Sequence, residues 1–219
     1  MNDIIQTIAV YALPVLFAIT LHEAAHAYAA KYFGDPTAYM LGRMSLNPVR
    51  HIDPLGTIVI PIALYVATSG AFGFGYAKPV PIDFGKLRNP KRQMAWVSLA
   101  GPGANFVMAL LWMIVLIFLH AANVQEPFFL EMAQAGILVN ILMFAFNLVP
   151  IPPLDGGRIL TSMLPNRLAN QFARIEPYGF FIVIALIYFK ILTFWVMPVM
   201  YLTNLVLRTI VLPLSFLLS

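Results

Sequence analysis

Long apolar runs separated by short polar links set the pattern of this chain. Residues 4–33, 93–120, 128–149 and 194–218 are each long and apolar enough to cross a hydrocarbon layer about 30 Å thick at about 1.5 Å per residue. A further apolar helix, 178–189, is expected to turn at 190–193 into the last one. Residues 52–69 are equally apolar, but Pro54 and Pro61 interrupt them and Gly70, Gly73 and Gly75 follow. Both flanks of that run are basic, with Arg43 and Arg50 before it and Lys86, Arg88, Lys91 and Arg92 after it. A full crossing would place one positive flank outside, against the charge rule, so a re-entrant segment is expected, with a plain crossing helix as the alternative. The links 38–46 and 78–82 read as extended, the second because of Pro79 and Pro81. The pattern predicts an all-α polytopic membrane protein with about five transmembrane helices, a re-entrant segment and a small membrane-associated β element.

Composition strengthens that reading. The 219 residues are 61% apolar and 10% charged, with a mean hydropathy of +0.84, whereas soluble domains carry about 25% charged residues. The pI near 9.4 does not point to nucleic acid, because the basic residues cluster in links where membrane orientation explains them. Lys31, Arg43 and Arg50 follow the first run, so its C-terminal end is expected to face the cytoplasm and the N-terminus the outside. The start Met1-Asn2-Asp3 lacks the basic region of a cleavable signal. No repeat and no long linker is visible, so residues 1–219 read as one membrane domain. The absence of cysteine leaves His, Asp and Glu to hold any metal.

The candidate chemistry begins at His22-Glu23-Ala24-Ala25-His26 inside the first apolar run. Positions i and i+4 share a helix face, so the two imidazoles aim at one point, as two ligands of one zinc ion do. Glu23 lies beside them, placed to take a proton from the attacking water. Charges at the bilayer centre cost roughly 2.5–3.5 kcal/mol each, so such a group needs a partner, and a metal suits all three. The second constellation is Asn147-Leu148-Val149-Pro150-Ile151-Pro152-Pro153-Leu154-Asp155-Gly156-Gly157. Its prolines stop a regular helix at membrane depth, which is expected only around a functional cavity. Counting crossings brings Asp155 to the depth of the two histidines, provided that 52–69 does not cross.

These blocks, together with Ala100-Gly101-Pro102-x-x-Asn105, resemble the site-2 protease family of intramembrane zinc metalloproteases. The segment 47–91, with Asn47-Pro48, His51-x-Asp53-Pro54-x-Gly56 and Lys78-Pro79-Val80-Pro81, looks like its compact bacterial and archaeal members. The chain leaves no room for the PDZ or CBS domains of larger members. The resemblance implies that His22, His26 and Asp155 bind one Zn2+ per chain and that Glu23 is the catalytic base. It implies that Asn147 orients substrate or stabilises the oxyanion. The expected function is zinc-dependent hydrolysis of peptide bonds within or near transmembrane segments of other membrane proteins. The expected location is the cell membrane, with the active site toward the cytoplasm.

Other polar residues carry blander expectations. His51 reads as a structural contact at the interface, with an occasional fourth ligand or a gate as the alternative. Asn105 and Asn140 read as bridges between helices, Asn105 also as a candidate donor to the oxyanion. Arg158 reads as a headgroup anchor. Either 38–46 or 78–82 is a candidate edge on which an unwound substrate pairs. The competing class is a catalytically silent metal-binding scaffold or a small transporter. A silent scaffold is expected to lose Glu23, and a transporter to show paired broken helices in two related halves; the sequence does neither.

Overall fold

The computed structural model describes residues 2–51, 59 and 78–218. Among these, every regular element is a helix. The order is α1 (Asn2–Phe33), α2 (Thr37–Met40), α3 (Pro90–Ala121), α4 (Pro127–Asn147), α5 (Asp155–Met163), α6 (Asn166–Ala173), α7 (Glu176–Tyr188) and α8 (Thr193–Leu218), with short 3-10 turns at Pro48–Arg50 and Phe84–Lys86.

Four helices, α1, α3, α4 and α8, are long and apolar enough to span a membrane. The expected fifth crossing, 178–189, falls on the second helix of a bent pair, which makes a fifth span if the pair is taken as one. Helices α6 and α7 meet at 67°, and the 13 residues of α7 reach only about 20 Å. The 52–69 run expected to re-enter lies outside the described residues. Its flanks do meet, because the Lys78 N–H donates to the His51 carbonyl at 3.0 Å.

Helices α1, α3 and α4 pack mutually, α8 lies against α3 and α4, and α5 lies against α3. Small residues let these backbones approach, as expected where lipid removes the hydrophobic drive for helix association. Ala18, Ala24, Ala27, Ala30, Ala109, Ala133 and Ala145 are buried at the contacts. Gly136 lies so close to Trp112 that an added Cβ would be 2.3 Å from the indole. Large apolar side chains point outward along the same helices, Leu13, Val107, Leu111 and Leu142 among them. That inside-out distribution suits a surface solvated by lipid.

The expected β element is not there, and local hydrogen bonding explains why. The Asp35 carboxylate accepts from the N–H and the hydroxyl of Thr37, which starts the turn of α2. That turn closes through Arg43 N–H to Ala38 O at 2.8 Å, with Gly42 at φ +64, so 38–43 coils on itself. Residues 78–82 form no strand. Pro79 and Pro81 remove two donors, and the Val80 N–H goes to a side chain, the Glu23 carboxylate, at 2.8 Å.

Asp35 also ties this region together, accepting from the Asp83 N–H at 2.7 Å. Burial pushes the Asp35 carboxyl up. The Thr37 and Asp83 hydrogen bonds and the Lys86 charge outweigh that and hold it below the usual carboxylate value. A carboxyl lowered in this way adds stability that is complete above about pH 4 and lost as pH falls through its folded value. Asp35→Asn is therefore expected to loosen residues 83–88 at neutral pH, read as faster proteolytic nicking there. An unchanged nicking rate would count against this role.

Candidate metal centre

Helix α1 presents His22 and His26 one turn apart on its buried face, and each is about 5% exposed. The third member arrives from the far side of the sequence. Helix α4 stops at Asn147, and the prolines at 150, 152 and 153 keep the chain from resuming a helix before Asp155. The peptide between Pro152 and Pro153 is cis. This turn folds tightly onto the start of α5. A Cβ at Gly156 would lie 2.3 Å from Leu148 O, and one at Gly157 2.2 Å from Pro152 N. Only glycine fits at either position, and the approach places Asp155 in the first turn of α5, facing α1.

Three donor atoms converge. His22 Nε2 and His26 Nε2 are 3.1 Å apart, and Asp155 Oδ2 is 3.2 Å from the first and 3.3 Å from the second. Ligands about 2.0–2.1 Å from a zinc ion at tetrahedral angles lie roughly 3.3–3.4 Å from one another. The triangle has the size of one face of that tetrahedron, and a fourth position is left for water or substrate.

The hydrogen bonds behind the two rings also suit a metal ion. His26 Nδ1 faces the Val97 carbonyl at 2.7 Å, so it carries the hydrogen. His22 Nδ1 faces Asn105 Oδ1 at 2.6 Å. The orientation of that amide is set, because Asn105 Nδ2 donates to Ala18 O at 3.2 Å and to Asn140 Oδ1 at 3.1 Å. Asn140 in turn donates to Gly136 O at 2.8 Å. With both rings neutral, the two Nε2 atoms present lone pairs and the carboxylate presents a third, the donor set that a divalent metal ion takes.

Helix α3 forms the back of the site. Gly101 lies against both imidazoles, and an added Cβ would be 2.3 Å from His26 Nε2 and 2.7 Å from His22 Cε1. Sequence reading left Asn105 between a bridge joining helices and a donor to the oxyanion. The long-range bond from Asn105 to His22 is what the sequence did not show. Asn105→Ala is expected to leave the His22 tautomer unset and to weaken metal affinity about 10–100-fold. A metal titration of the purified variant checks this, and wild-type affinity would refute it.

The remaining expected residues fall as follows. Glu23 is half-buried beside the triangle, its Oε2 held by the Val80 N–H. Asn147 makes no described contact with the triangle, and its amide donates to Met143 O at 3.0 Å. His51 is buried away from the three, with Nε2 on the Ser45 carbonyl at 2.8 Å. Arg158 pairs with Glu176 at 3.1 Å.

A buried three-donor metal centre held between membrane helices defines a class, and the comparisons place the chain within it. The profile of Peptidase family M50 matches residues 10–136 and 120–189. "Putative zinc metalloprotease YwhC" of Bacillus subtilis is 36% identical over 183 residues, covering 80% of this chain and 78% of the relative. "Putative zinc metalloprotease Rip2" of Mycolicibacterium smegmatis is 31% identical over 188 residues, 85% of this chain and 69% of the relative. The Mycobacterium tuberculosis protein of the same name is 30% identical over 190 residues, with the same two coverages. No solved structure matches. The chain belongs to peptidase family M50, the site-2 protease family, and is a zinc metalloprotease.

Proposed function

We propose that this protein is an intramembrane endopeptidase, a single domain over residues 1–219 that hydrolyses peptide bonds within or at the edge of transmembrane segments of other membrane proteins. The observation that carries the reading is the depth of the metal centre. His22 and His26 stand eleven and seven residues before the end of a spanning helix, about 16 and 10 Å along its axis. A protease of water-exposed chains has no use for a centre so placed.

In this reading His22, His26 and Asp155 hold the zinc. Zinc, when bound, supplies a Lewis acid that lowers the pKa of water toward about 7 and polarises the scissile carbonyl. Glu23 takes the proton from the attacking water and passes it to the nitrogen of the leaving amine. The Val80 N–H bond to Oε2 holds that carboxylate in place and leaves Oε1 for the water. Asn147, at the end of α4, orients the substrate or donates to the developing oxyanion. Water reaches the site from the end of the bundle that carries the basic residues Arg43, Lys86, Arg88, Lys91, Arg92 and Arg158, the cytoplasmic end by charge asymmetry.

The test is co-expression with a panel of tagged single-span membrane proteins, followed by mapping of new termini by mass spectrometry. New termini inside or beside the apolar span, present with the wild type and absent with Glu23→Gln, are expected. Termini confined to water-exposed segments would overturn the reading.

A further inference from the structure

The zinc-bearing end of the bundle contains a second feature, on the opposite side of α3 from the histidines. A cavity of about 600 Å³ opens between the first turns of α3 and the end of α5. Lys91 and Arg92 stand at its rim, and Trp96, Leu99, Ile159 and Met163 form its walls. No acidic residue lines it. Trp96 is 53% exposed and Met163 76%, so the apolar walls open outward, toward lipid in a membrane. Lys91 donates to Asn166 Oδ1 at 2.8 Å, and Arg92 has no hydrogen-bond or ion-pair partner among the described residues.

We propose that this cavity is a binding site for one anionic phospholipid. Its phosphate would lie against Lys91 and Arg92, its glycerol region beside Trp96, and an acyl chain along Leu99, Ile159 and Met163. The chemistry favours an amphiphile over each other occupant. A free phosphate would use the rim and leave the apolar walls unfilled. A substrate peptide would bring backbone donors and acceptors against walls with almost nothing to pair them, at a cost an acyl chain does not incur. A zwitterionic lipid brings its own cation beside its phosphate, which offsets the attraction of two basic residues, whereas a basic rim next to a Trp is where anionic headgroups are attracted.

The site touches both helices that shape the metal centre. Helix α5 begins with Asp155, and α3 carries Val97, Gly101 and Asn105 behind the histidines. The binding itself does not depend on the proteolytic reading, and its test uses no cleavage.

The experiment is native mass spectrometry of the full zinc-loaded chain released from nanodiscs of phosphatidylglycerol and phosphatidylcholine. One retained phosphatidylglycerol per chain is expected, in preference to phosphatidylcholine. The double variant Lys91→Gln, Arg92→Gln should lower that retention roughly 30-fold, while Arg167→Gln, Arg174→Gln, whose residues do not line the cavity, keeps it. Met163→Trp, which fills the mouth without altering charge, should lower it as well. Equal retention of both lipids, equal retention by both double variants, or displacement by inorganic phosphate or by a transmembrane peptide would each overturn the assignment.

Discussion

Glu23→Gln is expected to reduce peptide-bond hydrolysis by about 10²–10⁴-fold while the protein keeps its zinc. The glutamine has the same shape, and its amide oxygen still accepts from the Val80 N–H that holds Glu23 Oε2 at 2.8 Å. What it loses is basicity. Glu23 is not one of the three converging donors, so the metal count should not change. A cleavage assay paired with metal analysis of the same sample reads both quantities. Activity within a few-fold of wild type would remove Glu23 from the chemistry, and loss of zinc would make it a ligand instead.

The second large effect is expected from one methyl group. Gly101→Ala places a Cβ 2.3 Å from His26 Nε2 and 2.5 Å from its Cε1, with His22 Cε1 at 2.7 Å. These distances lie well inside van der Waals contact, so a ring or a helix must move. The rings have little room to retreat, since Val97 O and Asn105 Oδ1 on the same helix hold their Nδ1 atoms. Zinc affinity is therefore expected to fall at least as far as on loss of an outer hydrogen-bond partner, about 10–100-fold. Gly103→Ala is the matched control, because nothing lies within 4 Å of its added Cβ. Equal zinc affinity in the two variants would contradict the close packing of α3 behind the site.

The helical framework was readable because lipid-facing runs are long and unbroken, and the ends of α1, α3 and α4 fall within a few residues of the apolar boundaries. The pairing of His22 with His26 was readable because both belong to one helix. Asp155 came from the resemblance and from a count of crossings that requires 52–69 not to cross, a run outside the described residues, and the structure brings it to the histidines. Two kinds of feature were not readable. The links depend on side-chain-to-backbone bonds: the Asp35 carboxylate holds the Thr37 N–H and hydroxyl at the start of α2, where a strand was expected, and Glu23 took the donor that a strand at 78–82 would have used. The Asn105–Asn140 chain joins three helices, and a single sequence carries no signal of which polar residues face one another. The helix expected at 178–189 is present as α7, and the bend that joins it to α6 carried no signal in the apolar pattern.

Two motifs more than a hundred residues apart come together as one three-donor metal site. Bound zinc in the purified wild type tests it most directly, measured beside Asp155→Ala and the double variant His22→Ala, His26→Ala. About one zinc per chain is expected in the wild type and is lost in both variants, with the fold retained. Full zinc in Asp155→Ala, or no zinc in folded wild type, would contradict it.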